Sequence, residues 1–516
     1  MYSYSTRARA LRVFGRVGGV SALLGIALVA ACSDDDTMLH PPLDAATPDS
    51  GSLTDGAVPD GGVKPACAPD VTTGGKAKNV VFFLGDGMGI TTLTGARIYS
   101  VGEEGSLTID TLPETGFVRT YSHDFMVTDS APSMSAYMTG VKMNNNVISM
   151  SPETVADPTK CVGSSGYKED SGVTQNGAAV TTFLELAKKA GKATGVVTTT
   201  RLTDATPAAT YAHICQRNLE FDIAAQVVPG GAGYNAALGN GIDVVLGGGS
   251  EKFDKATRPD QRDLFAELTA QNYTVVRTAA DLAAYSPNSG KRLFGSFTPN
   301  DMSYEVDRIK VTPAVEPSLT DMAVAALDVL TKGPNGYFLM VEGGRIDHAL
   351  HATQARRAFE ETVSFDRTIA AVLAKVDLAN TLVVVTADHD HTLVHNGYAH
   401  RVGKTTPTNP GLLGFVRNPE PAADGTFTPV NDRDGVPYTI IGFGNGPNRV
   451  AGKRTALDET TTSGVDYRQE ATFHLSSETH GGTDVSIWST GASSEQVHGF
   501  MTNTAVFDIL RCGAGL

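Results

Sequence analysis

The chain has 516 residues, of which 41% are hydrophobic and 19% charged, with a net charge of −15. A globular chain of this length can bury a large core, in one big domain or two medium ones. The acidic balance argues against DNA or RNA as a bulk partner, because phosphate backbones require a basic protein face. An anionic substrate would need strong local positive charge, from metal ions or a placed arginine.

Residues 1–31 have the pattern of an export signal peptide. They contain four arginines and no acidic residue, and their apolar stretch is too short for a comfortable membrane span. The stretch ends Leu28-Val29-Ala30-Ala31-Cys32, which resembles a bacterial lipobox with Cys32 lipidated. An ordinary signal peptide with an incidental Cys32 is the alternative. Both interpretations predict an exported protein, and the first anchors it by lipid in a bacterial envelope, in the periplasm or at the cell surface.

Residues 32–68 predict a flexible tether, because they are rich in Pro, Gly, Asp, Ser and Thr and poor in large apolar side chains. The globular domain is expected at 69–516. After Cys32, four cysteines remain, and an oxidising compartment favours two disulfides, with three possible connectivities. We predict the pairs Cys161–Cys215 and Cys67–Cys512.

Short apolar runs that end in polar or glycine-rich turns alternate with helical patterns along the domain. Strands are predicted at 78–84, 195–200, 242–249, 337–341, 382–386, 483–488 and 505–510, with helices at about 175–190 and 318–331. The alternation predicts an α/β fold with a large, doubly wound, mostly parallel sheet in a three-layer α/β/α arrangement. The pattern weakens at about 391–475, which predicts a small inserted subdomain.

The ends of four predicted strands carry polar side chains that could bind metal. These are Asp86; Asp204 with Thr206; Glu342 with Asp347 and His351; and Asp388 with His389, to which His480 adds an imidazole. In a parallel sheet they would meet at one edge, where so many carboxylates require cations. Carboxylate with imidazole suits catalytic zinc, whereas carboxylate with hydroxyl suits magnesium. Nearby Asp390, His391, His395 and His400 stay unassigned, because loop histidines are more often structural.

Ser130 lies at a predicted helix start, directly after Asp129. The unpaired N–H groups and the positive end of the helix dipole favour an anion beside its hydroxyl. Taken alone, the pair is better explained as an N-cap. Ser130 is not set in a Gly-x-Ser-x-Gly motif, which argues against a hydrolase nucleophile elbow.

Six segments in order, from about Asn79 to His498, resemble those of the alkaline phosphatase family. They are Phe83–Gly89, Thr128–Ala131, Thr198–His213, Val341–His348, Thr386–His389 and Glu478–Gly482. Any one of them is moderately specific, and six in order are very specific. The resemblance implies an alkaline phosphatase-like fold and a metal-dependent phosphomonoesterase.

The resemblance also implies a role for each matching residue. Ser130 would be the nucleophile that forms a phosphoserine intermediate, and Arg217 would clamp the phosphate. Two zinc ions and one magnesium ion are implied per chain: the first zinc at Asp347, His351 and His480, the second at Asp86, Asp388 and His389, and magnesium at Asp86, Asp204, Thr206 and Glu342. Small phosphate monoesters are the implied substrates, and a homodimer is common in the family.

One departure from the family concerns the third metal. The family has either Asp with Lys or His with His at the positions of Asp204 and His348, and this chain mixes the two. Two alternatives to a monoesterase also stand: a phosphodiesterase or sulfatase on the same scaffold, and a non-catalytic metal-binding surface lipoprotein. A sulfatase requires Cys/Ser-x-Pro-x-Arg, and the segment Ser130–Met134 lacks the arginine.

Overall fold

The computed structural model describes residues 76–161 and 176–516. All of them belong to the unit Pro65–Leu516. The unit Met1–Lys64, and with it the predicted signal peptide and the lipobox Cys32, lies outside the described residues, as do the rest of the tether and Cys67.

Fifteen strands lie in the described residues. They are β1 (Asn79–Gly85), β2 (Glu114–Arg119), β3 (Ala193–Arg201), β4 (Val244–Gly248), β5 (Tyr273–Val276), β6 (Arg292–Ser296), β7 (Tyr337–Gly343), β8 (Thr381–Ala387), β9 (Asp390–His391), β10 (Leu393–His395), β11 (Ile441–Gly446), β12 (Ala471–His474), β13 (His480–Gly481), β14 (Val485–Gly491) and β15 (Gly499–Thr502).

The same residues form thirteen α-helices. They are α1 (Ile90–Val101), α2 (Ser130–Thr139), α3 (Phe183–Lys189), α4 (Ala205–Ala208), α5 (Glu220–Gln226), α6 (Leu264–Ala270), α7 (Ala279–Ala284), α8 (Glu305–Arg308), α9 (Leu319–Leu330), α10 (Arg345–His351), α11 (Ala355–Leu373), α12 (Glu459–Thr462) and α13 (Asn503–Ala514). Single 3₁₀ turns occur at Ile109–Thr111, Pro158–Lys160, Ala236–Leu238, Ser250–Lys252, Gly411–Leu413 and Ser494–Gln496. Among the helices described, none combines the length and the apolar character of a membrane span.

Ten strands form one sheet, in the order β15-β2-β14-β8-β1-β7-β3-β4-β6-β5. Neighbouring strands run parallel except at β14, which is antiparallel to both β2 and β8. The central strands are apolar along both faces because helices cover both sides, and β7 and β8 are buried throughout. This mostly parallel sheet with flanking helices confirms the predicted fold class.

The registers of β1, β7 and β8 bring their carboxyl ends to one edge of the sheet. Gly85 is opposite Gly343 on β7 and Ala387 on β8, and Leu84 is opposite Glu342. Residues that directly follow these strands are therefore neighbours. In open α/β sheets, ligands bind at this edge, outside the carboxyl ends of the strands.

Helix α2 is buried along its whole length and packs against the end of β8. The Tyr137 hydroxyl donates to the Ala387 carbonyl oxygen at 2.7 Å, and the Ser133 hydroxyl donates to the Asp388 carbonyl oxygen at 2.7 Å. These two bonds fix α2 at the edge where β1, β7 and β8 end.

Within the predicted insertion at about 391–475, the strands β10, β11 and β12 form a small three-stranded sheet. A second small sheet pairs β9 with β13, so that His391 is opposite His480. The long loops between these strands explain why the periodic pattern weakens in this part of the sequence.

The strand predicted at 505–510 is wrong, because these residues lie within helix α13. A short apolar run fits a buried helix as well as a buried strand. The buried side chains Val506, Phe507, Ile509 and Leu510 recur at helical spacing. The helix predicted at about 175–190 begins only at Phe183 in the described residues, whereas the helix predicted at 318–331 is confirmed by α9.

The predicted disulfide Cys161–Cys215 is present, with the two Cα atoms 5.4 Å apart. It joins the loop that follows α2 to the loop that carries Arg217. The other predicted pairing, Cys67–Cys512, involves a residue outside the described part of the chain and stays a prediction.

Candidate active site

Ser130 is the first residue of α2, and Asp129 is its N-cap. The Asp129 carboxylate accepts a hydrogen bond from the Ala131 N–H at 2.7 Å, which satisfies one of the free donors at the helix start. The Ser130 side chain is buried, and its Oγ lies 3.2 Å from His389 Nε2. The serine is thus a helix-start residue, as predicted, and it also lies beside His389, one of the predicted metal ligands.

Asp86, Asp388 and His389 form a buried cluster beside Ser130. His389 Nε2 lies 3.4 Å from Asp86 Oδ1 and 3.2 Å from Asp388 Oδ2. Neither of these two carboxylate oxygens has a hydrogen-bond partner among the described residues, although both are buried. Buried carboxylate oxygens without donors are costly, and a divalent cation at this point would satisfy both.

The pKa values of the carboxylates in the cluster also indicate that a cation is needed here. Burial, followed by repulsion from Asp86, raises the pKa of Asp388 to about 7. Burial, and then Asp347, raises the pKa of Asp86 well above its ordinary value, and burial with Asp86 does the same for Glu342. These carboxylates cannot all be ionised without added positive charge.

A second cluster contains Asp347, His351 and His480, with His391 beside them. His351 Nδ1 lies 2.6 Å from the Glu478 carbonyl oxygen, and His480 Nδ1 lies 2.8 Å from the Thr128 carbonyl oxygen. Because carbonyl oxygens only accept, both Nδ1 atoms carry the proton, which leaves both Nε2 lone pairs free.

Those two free Nε2 atoms lie only 3.2 Å apart, and Asp347 Oδ1 is 3.3 Å from His351 Nε2 and 3.5 Å from His480 Nε2. Three acceptors turned toward one another, without a proton between them, repel unless a cation lies among them. Burial lowers the pKa of both histidines, which favours the neutral imidazole that binds metal. The donor set of one carboxylate and two imidazoles fits zinc with an open position.

Glu342, Thr206 and Asp86 provide a third group of oxygen donors. Thr206 Oγ1 donates to Asp86 Oδ2 at 3.3 Å, and Thr198 donates to Glu342 Oε2. Glu342 Oε1 is buried and accepts no hydrogen bond from the part of the chain that the structure describes. Oxygen ligands without imidazole fit magnesium better than zinc.

Arg217 faces this edge of the sheet from the loop after α4. Its Nη1 lies 3.0 Å from Asp129 Oδ1 and its Nη2 lies 2.8 Å from Asp204 Oδ1. Two carboxylates, one at each terminal nitrogen, therefore hold the guanidinium, and one of them belongs to Asp129, the N-cap of α2. Within residues 76–161 and 176–516 its side chain hydrogen-bonds to these two carboxylates, which leaves further N–H groups that can bind an anion.

The two oxygens of Asp204 are bound by two different arginines, Arg217 and Arg201. Asp204 also forms a group with Asp301 and His348, apart from the group that contains Asp86. A carboxylate oxygen has two lone pairs, so Asp204 Oδ2 could coordinate a metal while it accepts the hydrogen bond from Arg201.

Two further residues contact the second cluster, His391 and Glu478, and neither is assigned a role from the sequence. His391 Nε2 lies 2.8 Å from Asp347 Oδ1, and its Nδ1 lies 2.5 Å from Glu478 Oε2. Burial lowers the pKa of His391, but Glu478 and Asp347 outweigh this and raise it well above its ordinary value. Both ring nitrogens of His391 face carboxylate oxygens, so His391 orients Asp347 and does not offer a free nitrogen to a metal.

A sequence signal for His391 did exist. In an extended segment, side chains two residues apart point to the same side, and His391 follows His389 at this spacing. Its approach also depends on Gly87, which has a φ of +62° and whose Cβ, if it had one, would overlap the His391 ring.

A comparison of this chain with known families matches residues 77–516 to the family described as alkaline phosphatase. The chain therefore belongs to the alkaline phosphatase family and is an enzyme of that family, as the motifs predicted. It is 35% identical over 457 residues to the alkaline phosphatase of Gadus morhua, covering 82% of this chain and 89% of the relative. It is 34% identical over 465 residues to the tissue-nonspecific isozyme of Homo sapiens, covering 82% and 81%.

Solved structures support the fold. The alkaline phosphatase of Thermus thermophilus superimposes with a TM-score of 0.61 at 24% identity, covering 86% of this chain and 92% of that one. The enzyme from the Antarctic bacterium TAB5 gives a TM-score of 0.59 at 22% identity, covering 85% and 99%.

Proposed function

We propose that this enzyme hydrolyses phosphate monoesters, with Ser130 as the nucleophile and a phosphoserine intermediate. The main support for the proposal is the position of the Ser130 hydroxyl, 3.2 Å from His389 Nε2. It lies beside carboxylate oxygens that have no hydrogen-bond donor in the described residues. Arg217 lies on the same edge, where Asp129, the N-cap of α2, holds its guanidinium. A nucleophile, a cation-binding cluster and an anion-binding guanidinium are the parts that phosphoryl transfer needs.

The proposed metal ligands are those that the resemblance implies. One zinc would be held by Asp347, His351 and His480, the other by Asp86, Asp388 and His389, and magnesium by Asp86, Thr206 and Glu342, with Asp204 predicted to join them. When bound, the ions supply positive charge that lowers the pKa of the serine hydroxyl and of water and offsets charge on the phosphoryl group.

The side chains of this protein then have separable roles. Ser130 Oγ gives its proton to solvent and attacks phosphorus. The bond to the leaving oxygen breaks, this oxygen takes a proton from solvent and departs as the alcohol, and the phosphoryl group remains on the serine. Arg217 binds two of the three non-bridging oxygens through its planar fork, which orients the group for in-line transfer. Water then attacks the phosphoserine, restores the hydroxyl and releases inorganic phosphate.

The recognised unit is the phosphate itself, so the proposal predicts tolerance of varied leaving groups. A sulfatase is disfavoured because Met134 stands where that motif requires arginine. A non-catalytic lipoprotein is disfavoured because a metal-binding role alone does not need Ser130 or Arg217 at this edge. A phosphodiesterase would need space for a second ester group beside Arg217.

The assay that separates these functions uses three aryl esters with one leaving group: a phosphate monoester, a phosphate diester and a sulfate. We expect rapid hydrolysis of the monoester, hydrolysis of the other two that is slower by about 10³-fold or more, and loss of all activity with a chelator. Equal or faster turnover of the diester or the sulfate would refute a monoesterase. Absence of turnover in zinc- and magnesium-loaded protein would favour the binding protein.

We also propose that the protein is exported and anchored through Cys32, because residues 1–32 have the features of a lipoprotein signal. The Cys32→Ala variant should then be recovered in the soluble fraction of a bacterial host, and the unchanged chain in the membrane fraction. Recovery of both proteins in the same fraction would contradict lipid anchoring.

A homodimer is a further proposal that follows from the family. Phe117 and Phe500 stack at 5.1 Å on the exposed side of β2 and β15, at the edge of the sheet. An exposed aromatic pair at a sheet edge is a surface that a second copy could cover, and sedimentation equilibrium would measure the mass.

A further inference from the structure

Arg201, the last residue of β3, contacts three carboxylates from three separate segments. Its Nη2 lies 2.8 Å from Asp204 Oδ2, its Nε 3.0 Å from Glu220 Oε2, and its Nη1 2.8 Å from both oxygens of Asp301. The planar fork of arginine can reach all three in one geometry, which a lysine ammonium cannot do.

The contact with Asp204 connects Arg201 to Arg217. Asp204 Oδ1 binds Arg217, and Asp204 Oδ2 binds Arg201. Burial raises the pKa of Asp204, but Arg217 and then Arg201 outweigh it and lower the pKa to about 2. The series Arg201, Asp204, Arg217 and Asp129 thus alternates in charge and ends at the N-cap of the serine helix.

We propose that Arg201 is a positioning residue for the phosphate-binding guanidinium of Arg217, acting through Asp204. The proposal rests on the function proposed above, because it assigns a role within the same site. Arg201 occupies one oxygen of Asp204, so that Asp204 offers only the other oxygen to Arg217. The N–H groups of Arg217 that do not contact Asp204 or Asp129 then stay free for phosphate.

Without Arg201, the buried Asp204 Oδ2 loses its 2.8 Å donor, and the next group in reach is His348 Nε2 at 4.0 Å. A carboxylate beside a guanidinium favours the bidentate arrangement with two parallel N–H bonds. Asp204 would then turn both oxygens toward Arg217 and take N–H groups that phosphate needs. The expected defect is weaker phosphate binding rather than loss of the fold.

Asp301 keeps Arg201 in place. It binds the Arg201 backbone N–H at 3.1 Å as well as the guanidinium, and it lies 3.5 Å from Arg345 Nη1. Among the described residues, Glu220 accepts hydrogen bonds from Arg201 Nε and from the Thr203 hydroxyl, and neither of these involves Asp204. Glu220 therefore provides a matched control: its removal perturbs Arg201 without freeing an oxygen of Asp204.

The test compares Arg201→Gln, Arg201→Lys and Glu220→Gln in zinc- and magnesium-loaded protein, with inorganic phosphate as the probe. Calorimetric titration should show phosphate binding weakened about tenfold by Arg201→Gln and less by Arg201→Lys. Glu220→Gln should change it less than about twofold. The KM for an aryl phosphate should rise with the phosphate Kd, while kcat falls less than either.

A double-mutant cycle separates positioning from general stability. In an Arg217→Ala background, Arg201→Gln should no longer weaken phosphate binding, because the group through which it acts is absent. An equal loss in both backgrounds would overturn the proposal, as would unchanged phosphate binding in both Arg201 variants. If the unaltered enzyme cleaves no phosphate monoester, the proposed function fails instead, and this outcome differs from either result of the cycle.

Discussion

Replacing Ser130 with alanine should lower kcat for a phosphate monoester by about 10⁴-fold or more, by analogy with the loss of other covalent nucleophiles. The substitution removes one oxygen from the first residue of a buried helix and leaves the N-cap contact of Asp129 with Ala131 intact. The expected loss is therefore chemical rather than structural, and the melting temperature should change little.

The covalent intermediate gives a more specific readout than the rate. The unchanged enzyme, quenched in acid during turnover, should carry a phosphoryl group on the peptide that contains Ser130, as peptide mass spectrometry would detect. The Ser130→Ala protein should carry none. Its residual activity would come from direct attack of water on a substrate still bound by Arg217 and the metal ions.

Ser133→Ala is a suitable control, because Ser133 is also buried and lies one helical turn along α2. Its hydroxyl bonds to the Asp388 carbonyl oxygen instead of facing the carboxylate cluster. We expect its kcat to stay within about tenfold of the unchanged enzyme, the cost of one hydrogen bond. Full turnover by Ser130→Ala, or a phosphoserine elsewhere in the chain, would refute Ser130 as the nucleophile.

The edge of the sheet that carries the candidate site was predictable, because an apolar run and an acidic residue directly after it occur together in the sequence there. Buried parallel strands are continuously apolar, and Asp86 and Asp388 directly follow such runs. The chain positions of these strands are far apart, but parallel registration brings their ends together. A short apolar run is less informative at the C-terminus, where 505–510 fits both a strand and the helix that it forms.

The groups that surround the site were harder to predict, because they depend on contacts between segments that are distant in sequence. No local sequence pattern encodes such contacts. Arg201 and Asp301 are 100 positions apart, and Asp301 lies in a loop after a strand that the sequence analysis missed. His391 meets Glu478 through the pairing of two-residue strands. Strand ends identify the central groups of the candidate site, whereas the residues that orient them become visible only in three dimensions.

Removal of the metal ions should destabilise the folded enzyme, and more so as the pH rises from about 4 to about 7. In the metal-free protein, burial and Asp86 raise the pKa of Asp388 from 3.8 to about 7. The folded state then holds a proton that the unfolded chain has released, so the free energy of unfolding falls as pH rises through this window. The penalty is absent below about 3.8 and complete above about 7.

For Asp388 alone, the full penalty is on the order of 4 kcal/mol, and the raised pKa values of Asp86 and Glu342 act in the same direction. Divalent cations bind the ionised carboxylates and remove the penalty. The metal-loaded enzyme should therefore lack this loss of stability, and the gain from metal should be larger at pH 8 than at pH 5.

Differential scanning calorimetry of metal-free and of zinc- and magnesium-loaded protein at pH 5, 6, 7 and 8 would measure this difference. The melting temperatures of the two forms should diverge with pH, and Asp388→Asn should reduce the divergence because an amide does not titrate. At pH 8 the metal-free Asp388→Asn protein should melt above the metal-free parent, since it buries one charge fewer. Parallel melting curves for the two forms from pH 5 to pH 8 would mean that the carboxylates at this edge do not need cations, and the metal-dependent mechanism would lose its physical basis.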